Sequence, residues 1–305
     1  MFITVKVPGT TANLGAGFDC IGVALTIYNQ FTFTLLENPT ASVQIEVKGT
    51  EAERVSRDES NLAYRAFAKL YEHIGKEIPA IALEIDLGIP MARGLGSSAT
   101  AIVGGLVGAN HLAGTPLDPS EVMELAIALE GHPDNVVPAF LGNCQLSIAV
   151  GNQWEICPIP WHSAIAPVVA IPNFELSTEE ARSVLPQQIS RSDAIFNISR
   201  LGLLLRGLDE NNANWLRAAL DDKLHQPYRK SLIRGYEAVE AAAIASGAYG
   251  MVISGAGPTL LALAETQQAE GVAAAMKTAW ESLGIVANTF TLTLDKQGVR
   301  QSLKR

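Results

Sequence analysis

The pattern of apolar and polar positions predicts a chain that mixes strands and helices along its whole length. In the first half, β-branched or aromatic runs bounded by Gly, Pro or Asn are typical of strands. These runs lie at residues 2–7, 22–25, 30–36, 43–47, 81–87, 145–150 and 154–157. Apolar residues at every fourth position predict an amphipathic helix over residues 61–74. Further helices are predicted from the glycine-rich segment to about residue 111 and over 119–130, where Asp118 can cap and Pro119 can take the first position.

The second half of the chain repeats the alternation in a recognisable order. It predicts a strand, several helices, two strands, a helix and a strand, at residues 168–171, 178–245, 251–253, 259–264, 267–283 and 285–292. This order resembles a split βαβ, ferredoxin-like layer with a helical insert, and so an α+β fold. Prolines at 158, 160 and 167 predict a crossing between two domains, 1–160 and 161–305. The residues after Leu294 are expected to form a loose tail.

Composition narrows the class of protein. The 305 residues are 48% hydrophobic and 17% charged, which is typical of a compact globular chain. The net charge of −9 and the lack of a Lys/Arg run argue against nucleic acid as a partner. No apolar segment approaches the roughly 20 residues that span a bilayer, so no membrane partner is expected. The three cysteines lack metal-binding spacing, which favours a reduced, cytoplasmic location.

The segment PMARGLGSSATA, residues 90–101, carries the strongest chemical signal. Gly94 and Gly96 permit tight turns, Ser97 and Ser98 add hydroxyls, and an Ala-rich stretch follows that can start a helix. The first turn of a helix has free N–H groups and a partial positive charge, so an anion is stabilised there. A site for an oligophosphate is therefore the first hypothesis.

Other interpretations of this segment remain open. A P-loop would need a lysine after the glycines, and none follows. Gly94, Gly96 and Ala99 match the dinucleotide fingerprint G-x-G-x-x-A, but residues 88–93 separate them from the preceding strand. A glycine-rich turn with a tightly packed helix and no ligand is the third possibility.

Three further segments place polar side chains in loops. Residues 8–19 contain Asn13 and Asp19, which can either hold a polar ligand or satisfy the backbone of a turn. In residues 129–135, Glu130 is a candidate ligand for Mg²⁺ beside a phosphate site. Asp134 and Asn135 of the same segment can instead cap a helix that runs to residue 140.

A helix is predicted to begin at Ser177 or Thr178, and its Arg182 can bind a carboxylate bidentately or lie solvated at the surface. Arg229 offers the same alternatives. The glycines of the loop at 253–259 permit exposed N–H groups suited to an anion, or close packing.

Taken together, these segments are similar to the three signature motifs of the GHMP small-molecule kinase family. PGTTANLGAGFDCIGVAL, PMARGLGSSATA and SGAGPT occur in family order and span nearly the whole chain. ANLGAGFD, HPDN, STEEAR and PYR further resemble the branch of the family that acts on homoserine. The resemblance implies an N-terminal domain like ribosomal protein S5, a C-terminal ferredoxin-like domain and an active site between them.

The same resemblance implies an activity and its cofactors. The expected reaction transfers the γ-phosphate of ATP, with Mg²⁺, to the side-chain hydroxyl of L-homoserine, giving O-phospho-L-homoserine for threonine synthesis. A homodimer is expected. The alternatives are another GHMP kinase of mevalonate or shikimate type, or a metabolite-binding regulator without turnover. Two arginines and an aspartate suit a zwitterion better than mevalonate.

The resemblance also assigns roles to residues. The nucleotide would be bound by Pro90, Met91, Ala92, Arg93, Gly94, Leu95, Gly96, Ser97, Ser98, Ala99 and Thr100. Ser98 and Glu130 would hold Mg²⁺. Homoserine would be bound by Asn13, Asp19, His132, Arg182, Arg229, Gly255 and Gly257. Arg182, Asp134 and Thr178 are the catalytic candidates, although the branch resembles a mechanism without an obligatory enzymic base.

Overall fold

The computed structural model of the chain describes residues 2–37, 41–49, 51–151 and 153–304. The strands are β1 Phe2–Ala12, β2 Ile21–Leu35, β3 Val43–Gly49, β4 Ile81–Leu87, β5 Cys144–Val150, β6 Gln153–Ile159, β7 Ile165–Pro172, β8 Ala248–Ile253, β9 Leu260–Glu265, β10 Ala287–Thr291 and β11 Arg300–Lys304. The helices are α1 Leu62–His73, α2 Ser97–Leu112, α3 Pro119–Glu130, α4 Pro133–Leu141, α5 Thr178–Ser183, α6 Arg191–Glu210, α7 Ala213–Ala219, α8 Gln226–Arg229, α9 Tyr236–Ala245 and α10 Ala269–Glu281.

A seven-stranded sheet forms the first layer. Its strands run in the order β11-β1-β2-β4-β3, and β5 pairs with the other end of β2 and carries β6. The pairs are antiparallel except for β3 with β4. Helices α1 to α4 bury their apolar faces against one side of this sheet. The predicted cap of α3 is confirmed, because the Asp118 side chain accepts from the N–H groups of Ser120 and Glu121.

A four-stranded sheet forms the second layer. Its order is β10-β7-β9-β8 with every pair antiparallel, which is the ferredoxin-like arrangement that the element order predicted. Helices α9 and α10 pack on one face through a core that contains Tyr236 and Trp280. Because the other face is buried too, β8 and β9 are apolar at nearly every position.

A third core joins the two sheets. Ile21 and Val23 of β2 pack in one cluster with Val169 and Leu261 of the second sheet and with Leu208 of α6. Burial of this apolar surface holds the two layers together. The loops at their shared end therefore meet across a cleft.

Two predictions about strands were wrong. Residues 22–25 and 30–36 are parts of one 15-residue strand, β2, because β1 pairs along both parts and a bulge at Pro8/Gly9 absorbs the irregularity. The expected loose tail instead contains β11, which pairs with β1 from Phe2↔Lys304 to Lys6↔Arg300.

The division into two domains remains a prediction. The positions of three strands along the chain are relevant to it. β6 ends at Ile159 and β7, the first strand of the second sheet, begins at Ile165. β11 returns to the first sheet from the far end of the chain. None of the helices in the described ranges has the length and apolar character needed to cross a membrane.

Candidate active site

A cleft of about 540 Å³ opens where loops of the two layers meet. Its lining includes seventeen of the predicted site residues: Asn13, Asp19, Met91, Ala92, Arg93, Gly94, Gly96, Ser97, Ser98, Glu130, His132, Asp134, Thr178, Arg182, Arg229, Gly255 and Gly257. These residues come from six separate stretches of the sequence. The fold therefore assembles most of the predicted set around one space.

The glycine-rich loop ends in a helix whose first turn faces the cleft. Helix α2 begins at Ser97, and Gly96 before it has φ 65° and ψ 30°, a left-handed conformation that favours glycine. Within the described chain no side chain caps this helix. Since the first turn of N–H groups has no intrahelical acceptor, this end of α2 can bind an anion.

The other two glycine-rich loops pack directly on this one. A Cβ on Gly94 would collide with the carbonyl oxygen of Ser254, and a Cβ on Gly96 would collide with Oγ1 of Thr10. The hydroxyl of Ser254 lies 2.6 Å from the carbonyl oxygen of Gly94 and 2.8 Å from Oγ1 of Thr11. The three motifs thus form one continuous wall, which no single motif could predict.

Ser98 and Glu130 form the candidate metal site. Oγ of Ser98 donates to Oε1 of Glu130 over 2.6 Å, so the last residue of α3 reaches the first turn of α2. Burial raises the pKa of Glu130, while the hydrogen bond from Ser98 opposes that shift. A hydroxyl and a carboxylate beside a phosphate site are the oxygen donors that Mg²⁺ takes in proteins. Among the described residues no group of three or more His, Cys, Asp or Glu is arranged to hold a metal ion.

His132 and Asp134 form a hydrogen-bonded pair beside Glu130. Nδ1 of His132 lies 2.9 Å from Oδ1 of Asp134, and Nδ2 of Asn135 donates to the same oxygen over 3.1 Å. The hydrogen bond with Asp134 raises the pKa of His132, and burial opposes it. The alternative role of Asp134 and Asn135 as helix caps was wrong, because α4 begins at Pro133 with His132 at the cap position. Oδ1 of Asn135 instead accepts from Thr10.

The charged groups expected to hold an amino acid line the same cleft. Arg182 donates from both terminal nitrogens to Asp19, over 2.9 and 3.1 Å, and both side chains are over a third exposed. The hydrogen bond with Asp19 raises the pKa of Arg182. Arg229 is 2% exposed and donates to the carbonyl oxygens of Ala181 and Gly255. Burial, with Arg182 nearby, lowers the pKa of Arg229 to about 10.

Asn13 has both ends of its amide occupied. Its Nδ2 donates to the carbonyl oxygen of Gly255 over 2.8 Å, and its Oδ1 accepts from the N–H of Asp19 over 3.0 Å. Asn13 therefore ties the loop that carries Asp19 to the opposite glycine loop. This is a structural role, and a contact between Asn13 and a ligand stays a prediction.

Thr178 is free of the capping role that the sequence left open. Oγ of Ser177 accepts from the N–H of Glu180 and caps α5. Thr178, the first residue of the helix, lines the cleft. A hydroxyl at this position can face a substrate.

Some predicted nucleotide residues point elsewhere. Pro90, Leu95, Ala99 and Thr100 do not line the cleft. Leu95 packs in the core between the sheets, and Oγ1 of Thr100 donates to the carbonyl oxygen of Ser97. Arg93 lines the cleft, but its guanidinium binds Glu51, Glu175 and three carbonyl oxygens. Its charge is therefore already paired with carboxylates.

One part of the cleft was not anticipated. The mostly apolar end beyond the glycine loop is lined by Phe31, Val55, Leu62, Ala63, Ile85, Leu87 and Ala101, with Asn29, Arg54, Ser56, Ser60 and Asn61 at its polar edge. These residues belong to β2, a short 3₁₀ helix at Ala52–Arg54 and its flank, α1, β4 and α2. In the sequence they look like ordinary core and loop positions, so only the tertiary arrangement brings them together.

Comparisons with known proteins agree with this architecture. The family described as GHMP kinases N terminal domain matches residues 61–143, and GHMP kinases C terminal matches residues 196–282. The homoserine kinases of Crocosphaera subtropica and Trichormus variabilis are 64% and 66% identical to the chain over 296 residues. These alignments cover 97% of this chain and 96% and 97% of the relatives. The crystal structure of homoserine kinase from Cytophaga hutchinsonii superimposes with a TM-score of 0.89 at 28% identity, covering 99% of this chain and 97% of that one.

Proposed function

The chain belongs to the GHMP kinase family, and we propose that it transfers the γ-phosphoryl group of ATP to the side-chain hydroxyl of L-homoserine. The product is O-phospho-L-homoserine, the form in which this carbon skeleton enters threonine synthesis. The observation that carries the proposal is one cleft lined by the uncapped N-terminus of α2 and by an aspartate and two arginines, Asp19, Arg182 and Arg229.

ATP is bound along the glycine loop. The first turn of α2 offers N–H groups and a partial positive charge to the triphosphate. The apolar end of the cleft, between Leu62 and Ile85, accommodates the base of ATP. Transfer of a flat heteroaromatic ring from water to these apolar surroundings lowers the free energy. The nucleotide therefore extends from the apolar end to the first turn of α2.

Ser98 and Glu130 would hold Mg²⁺ in the loaded enzyme. A cation held by these two side chains would neutralise negative charge on the phosphate oxygens. Glu130 would supply a negative charge to this cation, and a nearby cation would oppose the rise in its pKa that burial causes.

Homoserine is bound by complementary charges. The α-ammonium group pairs with Asp19, and the α-carboxylate pairs with Arg182 and Arg229. Asp19 and Arg182 bind each other in this structure, so each exchanges part of that contact for a contact with the substrate. An amino acid without the α-ammonium group would leave Asp19 poorly paired, and one without the α-carboxylate would leave the two arginines poorly paired.

The reaction depends on positioning more than on proton abstraction. The transition state of phosphoryl transfer is loose, so aligning the hydroxyl with the γ-phosphate and stabilising charge supply most of the rate. Arg182 and Thr178, which line the same cleft, are the candidates for contact with the transferring group, and Asp134, bound to His132, is a second-rank candidate for accepting the hydroxyl proton.

A coupled assay for ADP tests the proposal. The purified protein with ATP and Mg²⁺ is offered homoserine, mevalonate, shikimate and threonine, and we expect turnover with homoserine above the others. Asp19→Asn should raise KM for homoserine about 10- to 100-fold through loss of a charged hydrogen-bonding partner. Asp209→Asn, an exposed aspartate of α6 paired with Arg206, is the matched control. No turnover, or turnover with mevalonate or shikimate alone, would contradict the assignment.

We also propose that the protein is a cytoplasmic homodimer, as the family resemblance implies. Ile195 and Ile198, one turn apart on α6, are 61% and 70% exposed, and such side chains are candidates for an interface. The cysteines Cys20, Cys144 and Cys157 are free thiols, which suits a reducing compartment. Light scattering of the wild type and of an Ile198→Glu variant tests the assembly, and a monomeric wild type would contradict it.

A further inference from the structure

His225 is buried directly behind the end of the cleft that carries Arg229. The residue is 0% exposed and precedes the short helix α8. Its Nε2 lies 3.1 Å from the carbonyl oxygen of Gly15, and its Nδ1 lies 3.3 Å from Nη1 of Arg229. The imidazole thus connects the loop that carries Asp19 to the buried arginine.

The two partners determine where the proton of the imidazole lies. A carbonyl oxygen can only accept a hydrogen bond, so Nε2 carries the hydrogen that faces Gly15. A guanidinium can only donate, so Nδ1 is unprotonated toward Arg229. His225 is therefore neutral in the Nε2–H tautomer, an assignment made from the hydrogen-bond network. A second proton on Nδ1 would point at the cation of Arg229.

The charged groups around the ring are consistent with this state. Oδ2 of Asp222 lies 3.6 Å from Nε2, on the same side as the hydrogen. Arg229 faces Nδ1, and Asp19 is a more distant acid. Burial lowers the pKa of His225 to about 4, with Arg229 acting in the same direction and Asp222 opposing. The imidazole therefore stays neutral throughout the physiological range.

Packing leaves the ring little freedom. Phe18, next to Asp19, stacks on His225 with ring centroids 4.8 Å apart and planes 18° apart, and the guanidinium of Arg229 lies 5.2 Å from the Phe18 centroid. Oδ2 of Asp222 accepts from the N–H groups of His225 and Gln226, over 2.9 and 2.7 Å. The backbone of His225 is therefore held as firmly as its ring.

We propose that His225 is a positioning residue for the amino-acid substrate. Its neutral ring accepts from Arg229 and donates to the carbonyl oxygen of Gly15, in the loop that carries Asp19. Arg229 and Asp19 thereby keep their relative geometry. This inference rests on the proposed function, because it takes Arg229 and Asp19 as the groups that hold the zwitterion. His225 does not contact the reacting atoms. Its contribution is to the affinity for homoserine and not to that for ATP.

Two substitutions separate the hydrogen bonds from the volume of the ring. His225→Leu keeps a side chain of similar size and removes both bonds, whereas His225→Gln can still donate with its amide nitrogen and accept with its oxygen. We expect the leucine variant to raise KM for homoserine about 10- to 100-fold with KM for ATP within about twofold. The glutamine variant should recover about tenfold of that loss. His111→Gln, a half-buried histidine in the last turn of α2, is the matched control.

The results for the two His225 variants distinguish a positioning role from a general loss of structure and from a wrong assignment of the substrate. Equal increases in both KM values, or a folded glutamine variant no better than leucine, would overturn the proposal. If the variants do not fold, nitrogen NMR of the wild-type imidazole decides. The proposal is supported if the ring stays neutral in the Nε2–H form between about pH 5.5 and 8.5 and if its Nδ1 signal moves in Arg229→Lys. Titration of the ring in that range would overturn the proposal. Absence of homoserine turnover by the wild type would contradict the proposed function instead, since the NMR experiment needs no substrate.

Discussion

Gly94 lies where the glycine loop touches the second layer. It has φ 76°, and a Cβ there would collide with the backbone of Ser254. We expect Gly94→Ala to lower the free energy of unfolding by about 3 kcal/mol or more, since it combines left-handed strain with a steric clash. Gly75→Ala is the control, because Gly75 has φ 66° but no atom within 4 Å of its Cβ position.

Urea unfolding of the two variants measures the difference. The Gly75 variant should lose only the strain of a left-handed side chain, about 1–2 kcal/mol. Equal losses in both variants would show that contact with Ser254 does not restrict Gly94. The Gly94 variant should also bind ATP more weakly, because the loop must move to relieve the clash.

The pair of His132 and Asp134 makes stability depend on pH in a defined direction. Asp134 raises the pKa of His132 in the folded protein. The pair therefore contributes stability that is fully present below the ordinary histidine pKa, near 6.5, and is lost as pH rises through the raised value. We expect the difference in unfolding free energy between wild type and Asp134→Asn to fall over this range.

Urea unfolding of both proteins between about pH 5 and 9 measures this difference. Other histidines, including His225 with its lowered pKa, contribute nearly equally to both proteins and cancel. A difference that is flat with pH would contradict the proposed pair. The same variant tests catalysis, since near-native kcat across this range would exclude Asp134 as the base.

The elements around the glycine loop are joined by ion pairs. Arg93 binds Glu51, beside the 3₁₀ helix, and Glu175, which follows β7, while Oε2 of Glu51 accepts from the N–H of Met91. Arg93 is 6% exposed, and its loss removes a partner of the half-buried Glu51 and of the carbonyl oxygen of the buried Pro172. This network connects the loop to both layers at once.

We expect Arg93→Met to raise KM for ATP about tenfold or more, with a smaller effect on KM for homoserine. The reason is that the loop 91–96 loses its anchor, whereas Asp19 and Arg229 keep theirs. Steady-state kinetics with each substrate varied in turn measure the split. Arg206→Met, which removes an exposed arginine paired within α6, should change neither KM. Equal effects on both substrates would indicate a general loss of structure.

The local sequence pattern predicted the type of most elements, but it did not predict which segments form one continuous strand. The bounds predicted for β4 were right because its apolar positions alternate and a glycine follows. The break predicted inside β2 was wrong, since pairing with β1 overrides the polar residues around Asn29. The buried Asn29 is satisfied only by tertiary contacts, with Thr100 and with the N–H groups of Gly88 and Ile89.

At the scale of the molecule, the end of the chain closes the first sheet. β11 covers β1, and Arg300 pairs with the buried Asp295, which also accepts from Tyr28. We expect removal of residues 300–305 to lower the free energy of unfolding by about 2–4 kcal/mol, through lost ladder hydrogen bonds and because the buried carboxylate of Asp295 loses its ion-pair partner. It should also promote aggregation, because β1 becomes an edge strand.

Chemical denaturation and light scattering of the truncated protein measure both effects. Arg300→Met separates the ion pair from the strand and should cost less than the truncation. If the truncated chain were as stable and monodisperse as the full one, β11 would contribute nothing to the fold. The activity of the truncated protein is expected to survive where it stays folded, since β11 lies outside the cleft.

The amino-acid sequence by itself determined most element types and the order of the second layer, and it identified candidate site residues, because periodicity, capping residues and glycine-rich motifs are local signals. The tertiary structure decided what those signals cannot carry: that Gly94 touches Ser254, that Asp19 pairs with Arg182 and that Leu62 and Ile85 share one end of a cleft. Such contacts join residues far apart in the chain, and their energies depend on burial and distance that exist only after folding.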